Sequence, residues 1–78
     1  MTPTELFNAT GEALFGRAWK AELADRLEVN ERQIRRWANG EYEPPSGVWL
    51  DLQALIFDRR STLDELAKEA AKALRYLA

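Results

Sequence analysis

Apolar side chains recur along this chain in steps of three and four residues, which is the spacing that keeps them on one face of an α-helix. The clearest such stripe lies near the carboxyl end and consists of Leu63, Leu66, Ala70, Ala73 and Leu77. No segment alternates β-branched and polar residues in the way that a strand requires. The pattern therefore predicts an all-α fold.

Capping and helix-breaking residues divide the pattern into five helices. Thr2, Pro3 and Glu5 form a capping box that starts a first helix running to about Leu14. The further helices are expected at about residues 18–27, 30–39, 46–57 and 62–77, the last one after a second capping signature at 61–64. The expected buried positions are Leu6, Phe7, Ala13 and Leu14 in the first helix and Val48, Leu52, Leu55 and Ile56 in the fourth.

Residues 20–39 have the spacing of two short helices that cross after a tight turn. Ala24 is small enough to let two helix axes approach closely at their crossing point. Ile34 and Trp37 make an inward stripe on the second of these helices, which Asn30 caps and Gly40 ends. The segment therefore predicts a helix-turn-helix.

The outward face of the second helix is basic. It carries Arg32, Arg35, Arg36 and Asn39. A basic stripe that begins at a helix N-terminus suits the major groove of DNA, which is wide enough to admit a helix. The alternative is a solvated helix face, but such faces more often mix charge signs, as residues 64–72 do. The face therefore favours binding to double-stranded DNA.

These residues resemble the helix-turn-helix of phage Cro and repressor proteins, the Xre-like transcriptional regulators. The resemblance covers about residues 14–56 and rests on Ala24, Leu27, Val29, Ile34, Trp37 and the pair Asn39-Gly40. One departure is Glu28, which stands where the family usually has a glycine in left-handed conformation. The resemblance implies a five-helix domain that acts as a sequence-specific regulator, most simply a repressor that excludes polymerase from an overlapping promoter.

Candidate DNA contacts follow from the resemblance and from side-chain chemistry. Base contacts are expected from Glu31, Arg32, Gln33 and Arg36, and phosphate contacts from Arg17, Lys20, Asn30, Arg35, Asn39 and Tyr42. Four of these have alternatives: Glu31 can simply favour the positive end of the helix dipole, Gln33 and Asn30 can each contact base or phosphate, and Tyr42 can cover the edge of the core. Trp19 and Trp49 are expected to pack rather than stack on bases, because duplex recognition leaves bases stacked.

The carboxyl-terminal stripe has two interpretations. We expect residues 1–60 to form the DNA-binding domain and residues 61–78 to add a dimerisation helix within the same domain. The predicted dimer contacts are Leu63, Leu66, Ala70, Ala73, Leu74 and Leu77. A homodimer would double the contacts on an inverted repeat, whereas the alternative is that the stripe packs back on its own domain.

Composition narrows the function classes. The 78 residues carry a net charge of −2, which argues against a protein that coats nucleic acid indiscriminately. The absence of histidine and cysteine removes the usual zinc ligands and nucleophile pairs, so neither an enzyme, a metal, a cofactor nor a small-molecule ligand is expected. No targeting or membrane segment is apparent, which favours a cytoplasmic protein.

Two further hypotheses stay open. The first is an adaptor or antitoxin-like protein that acts mainly through protein contacts. The second lies within the DNA-binding class and is a phage accessory regulator that represses its own operon, such as those linked to anti-CRISPR genes.

Overall fold

The computed structural model describes residues 1–77 and is helical throughout, with no β-strand among those residues. Helix α1 comprises Pro3–Phe15, α2 Trp19–Leu27, α3 Glu31–Ala38 and α4 Ser46–Leu77, and a short 3₁₀ turn, Gly16–Ala18, joins α1 to α2. Because α1, this turn and α2 follow one another directly, the described residues form three uninterrupted helical stretches. The all-α class is confirmed.

The prediction of five helices is wrong, because the expected fourth and fifth helices are one helix of 32 residues. The predicted capping signature at residues 61–64 lies inside it. The Thr62 hydroxyl donates a hydrogen bond to the carbonyl oxygen of Asp58, one turn earlier in the same helix, at 3.2 Å. Since no glycine or proline follows Gly47, nothing in the sequence stops the helix there.

The start of α1 follows the prediction. The Thr2 hydroxyl accepts a hydrogen bond from the Glu5 amide at 3.1 Å, and the Glu5 carboxylate accepts one from the Thr2 amide at 3.3 Å. Phe7 and Leu14 are buried as expected, whereas Leu6 and Ala13 are exposed, so the predicted inward face of α1 was too wide.

The core is centred on the ring of Phe7, which meets three indoles edge to face. The centroid distances are 5.6 Å to Trp19, 5.9 Å to Trp37 and 6.2 Å to Trp49. Such edge-to-face pairs add to the free energy of burial. The expected packing role of Trp19 and Trp49 is therefore confirmed.

Only the first part of α4 contributes to this core. Leu52 is buried and Val48 and Leu55 are partly buried against the cluster, but Ile56 is 42% exposed, contrary to prediction. We call residues 1–56 the head and residues 64–77 the tail. Every described residue from Ile56 onward is exposed, so the apolar stripe of the tail does not pack back on its own domain.

The tail gives the chain its elongated outline, which measures 52 × 24 × 21 Å. None of the helices in residues 1–77 has the length and the apolar run needed to cross a membrane.

Candidate nucleic-acid interface

The turn between α2 and α3 is tight. Glu28 adopts the left-handed conformation (φ 57°, ψ 42°), which reverses the chain immediately after α2. The amide of Val29 then donates to the carbonyl oxygen of Ala24 at 3.0 Å, which closes the end of α2. Glu28 therefore adopts, although it is not glycine, the left-handed conformation that glycine takes most readily.

Helix α3 begins at a side-chain cap. The Oδ1 atom of Asn30 accepts a hydrogen bond from the Gln33 amide at 2.8 Å, which confirms the predicted capping role. This bond uses only the carbonyl half of the Asn30 amide. Its Nδ2 group is left as a donor at the exposed start of α3.

The inward face of α3 is anchored in the core. Ile34 is fully buried, Trp37 is 5% exposed, and both pack in one cluster with Leu23 and Ala24 of α2. The small Ala24 side chain is 7% exposed, as its place at the helix crossing predicts. The rotation of α3 about its own axis is therefore set by packing.

The carboxyl end of α3 is held by a residue that the sequence pattern did not single out. Asn8 of α1 donates through Nδ2 to the carbonyl oxygens of Ala38 and of Thr4, both at 2.9 Å. Asparagine is a poor helix former, so its position in the middle of α1 was the available signal. Asn8 is a positioning residue for α3.

The outward face of α3 presents Arg32, Arg35 and Arg36, as predicted. Arg35 lies in an ion pair with Glu31 at 3.2 Å, one turn earlier. Within residues 1–77, neither Arg32 nor Arg36 has a carboxylate at ion-pair distance. These two guanidinium groups can therefore engage an external anion or base edge without first breaking an ion pair.

Arg36 is also restrained by an aromatic ring. Its guanidinium lies 6.0 Å from the ring centroid of Tyr42, in the loop after α3, and this contact favours one side-chain orientation. Tyr42 is 61% exposed, so it lies against Arg36 rather than covering the edge of the core. Asn39 and Gly40 end the helix beside them, and Gly40 has a positive φ of 78°.

The other predicted phosphate ligands lie at the start of α2. Arg17 is exposed in the 3₁₀ turn. The Nζ atom of Lys20 lies 5.7 Å from the Trp19 ring, in a cation–π contact. Both cations therefore lie at the start of α2, where the positive end of the helix dipole also favours anions.

The charge pattern of α3 differs from that of the tail. In the tail, Lys68 pairs with Glu65 at 3.6 Å and Lys72 with Glu69 at 3.2 Å, so positive and negative charges offset each other locally. Helix α3 carries three arginines and one glutamate. An ordinary solvated helix face explains the tail better than it explains α3.

No protein-family model, curated protein or solved structure gives a significant match to this chain. Among residues 1–77, no three acidic side chains are grouped closely enough to hold a metal ion.

Proposed function

We propose that this chain is a sequence-specific double-stranded-DNA-binding transcriptional regulator, most simply a dimeric repressor, that inserts α3 into the major groove. The supporting observation is the outward face of α3. Arg32 and Arg36 lie one turn apart on it, free of ion pairs within residues 1–77, while Ile34 and Trp37 anchor the opposite face. A rigid helix that presents two such guanidinium groups has the shape and charge of a major-groove reader.

Arg32 and Arg36 are the proposed base readers. Each guanidinium can donate two parallel hydrogen bonds to O6 and N7 of guanine, the commonest specific contact in the major groove. The Tyr42 ring beside Arg36 reduces the conformational freedom that this side chain would lose on binding. Glu31 and Gln33, at the start of the same helix, would contact neighbouring base edges, and only a cytosine amino group rewards the Glu31 carboxylate.

The phosphate contacts would fix the position of α3 without reading sequence. We assign them to Arg17, Lys20, Asn30, Arg35, Asn39 and Tyr42. The pairing of Arg35 with Glu31 fits this division of roles, because a guanidinium held along the helix surface points toward the groove wall more readily than toward its floor.

Regulation would follow from occupancy alone. Two copies of α3 in successive major grooves would read an inverted repeat and block polymerase at an overlapping promoter. The net charge of −2 predicts weak binding to non-specific sites and a strong dependence on salt concentration.

Selection from a randomised duplex library at near-physiological salt tests this function. The wild-type chain and the Arg75→Ala variant, which loses one tail charge, should enrich the same inverted repeat. The Arg32→Ala and Arg36→Ala variants should each lose the preference at a defined position of that repeat. A folded wild-type chain that enriches no sequence would overturn the function.

One observation favours a second candidate, an adaptor or antitoxin-like protein. Leu66, Leu74 and Leu77 are 58%, 69% and 85% exposed on the tail, and such leucines commonly mark a protein-binding face. This candidate predicts that Arg32 and Arg36 are dispensable for function and that the three leucines are not.

A further inference from the structure

An apolar groove lies between α1 and α4 at the point where α4 leaves the head. It has a volume of about 510 Å³ and includes Ala9 and Ala13 of α1 and Ile56 and Leu63 of α4 in its lining. Because the side chains of the two alanines are short, the wall that α1 forms on its side of the groove is low. Ile56 and Leu63 are 42% and 56% exposed, so their apolar surface lies open to water.

A second apolar hollow of about 470 Å³ extends this groove toward the start of α4. It shares Thr10 and Ile56 with the first and continues to Leu6 and Leu50, which are 43% and 66% exposed. Along α4, the combined groove reaches from Leu63 back to Leu50. These 13 residues correspond to about 20 Å at the helical rise of 1.5 Å per residue.

The tail presents a matching apolar ridge. Ala67, Ala70 and Leu74 continue the steps of four and three that begin at Ile56 and Leu63, so they lie on the same face of α4. Leu66 and Leu77 flank that face. From Ala67 to the last described residue, Leu77, the ridge is about 15 Å long, which is enough to fill the groove from Leu63 back to about residue 53.

We propose that the groove of each copy of this chain binds the tail of a second copy in antiparallel orientation. The arrangement is reciprocal, because a two-fold axis places each tail in the other's groove. One contact covers most of both apolar surfaces, and each groove is filled only when the second copy supplies its tail.

The antiparallel register follows from residue size. With the two-fold axis beside Glu65, Leu63 meets Ala67 of the second copy and Ile56 meets its Leu74. The same register sets Arg60 against Ala70. Leu63 and Arg60 of the groove thus lie opposite alanines of the tail, which allows the two helices to approach closely there, Ile56 packs against Leu74, and the flanking leucines face the alanines of α1.

Charge favours this orientation over a parallel pair. A parallel pair in register would place Arg59 and Arg60 against the same two residues of the other copy, and like charges in an apolar seam are unfavourable. In the antiparallel register both arginines lie opposite the alanine-rich part of the tail. A parallel pair would also bring two heads to one end of the seam, where each head already covers α4 around Leu52.

The spacing of the two heads is close to the separation of two DNA half-sites. The other helices of the head cover α4 around Leu52, 13 residues from the axis, so the two heads lie about 39 Å apart along the helices. One turn of B-DNA is about 34–36 Å. This agreement rests on the proposed function, whereas the fit of tail to groove does not.

Cysteine cross-linking tests the arrangement directly, since the chain contains no cysteine. The double variant carries Ile56→Cys and Leu74→Cys. These positions are about 27 Å apart within one helix, too far for a disulfide inside one chain, but they meet between antiparallel copies. Oxidation should therefore convert the double variant largely into covalent dimers.

The two single variants are the matched controls. In the antiparallel dimer each cysteine lies about 27 Å from the same cysteine of the other copy, so neither single variant should cross-link. Efficient cross-linking of Ile56→Cys or Leu74→Cys alone would overturn the antiparallel register, and so would failure of the double variant. Circular dichroism of each variant verifies that the helices are retained.

Sedimentation of the unmodified chain gives an independent measurement. A dimer mass is expected, and a monomer mass at the concentrations used for cross-linking would overturn the proposal without involving any substitution. A cross-linked antiparallel dimer that selects no DNA sequence would support the tail exchange and overturn the DNA-binding function, so the two failures are distinguishable.

Discussion

The side-chain amide of Asn8 donates to the carbonyl oxygen of Ala38 at 2.9 Å, and this bond joins the middle of α1 to the last residue of α3. Carbonyl groups in the final turn of a helix have no partner within that helix. Asn8 supplies the missing donor from a different helix. The proposed reading helix is thus held by packing along its inward face and by a directed hydrogen bond at its carboxyl end.

Replacement of Asn8 by alanine should lower the free energy of unfolding by about 1 kcal/mol, because two partly buried carbonyl groups lose a donor while the higher helix propensity of alanine offsets part of the loss. Urea unfolding measures the change. The control is Asn39→Ala, at the end of α3, where within residues 1–77 the side chain makes no comparable bond to another helix; it should change stability by less than half as much. Equal effects of the two substitutions would contradict the role of Asn8.

Gly11 is buried beneath Trp19, and a Cβ atom at this position would overlap the indole ring. Gly11→Ala should therefore lower the free energy of unfolding by about 1–3 kcal/mol through overpacking. Gly47→Ala is the matched control, since a Cβ atom added there would meet nothing within 4 Å. Thermal unfolding should place Gly47→Ala at or above the wild-type midpoint, and an equal loss from both variants would exclude the steric cause.

Glu28 is the non-glycine residue that has a positive φ among residues 1–77. Glu28→Gly should raise the free energy of unfolding by up to about 1 kcal/mol, because glycine adopts the left-handed conformation without steric cost. Glu22→Gly, inside α2, should instead lower it by about 1 kcal/mol through lost helix propensity. A decrease for Glu28→Gly similar to that for Glu22→Gly would show that the Glu28 side chain stabilises the turn.

The proposed base and phosphate contacts differ in what their loss should do. Arg36→Ala should cost about 1–3 kcal/mol of binding free energy and relax the preference at one base pair. Lys20→Ala should weaken binding to all duplexes alike and should reduce the slope of log affinity against log salt concentration by about one, the share of one phosphate contact. Binding isotherms on the selected repeat and on its single-base variants, at several salt concentrations, measure both effects. Equal and sequence-independent losses would remove Arg36 from the role of reader.

Local signals in the sequence were sufficient for much of the head. The Thr2 cap of α1, the Asn30 cap of α3 and the inward pair Ile34 and Trp37 all depend on residues within a few positions of one another, so pattern alone predicts them. The same holds for the outward arginines, whose direction follows from the helical period once the inward face is known.

The prediction from sequence failed where two local signals compete, and it missed contacts that depend on a residue distant in the sequence. The 61–64 segment has the composition of a cap, yet Thr62 bonds back to Asp58 and the helix continues, because no residue there prevents propagation. The α1 prediction correctly ran through Gly11, but nothing near Gly11 in the sequence indicates that the Trp19 ring occupies the space above it.

The sequence by itself determined the helical class, the turn between α2 and α3 and the face on which the arginines lie, since these depend on periodicity and on capping between near neighbours. Only the tertiary structure decided that α4 is one helix, that Asn8 reaches Ala38, and that the apolar ridge of the tail finds no surface among residues 1–77. Those outcomes depend on which distant residues meet, and no spacing along a single sequence records that.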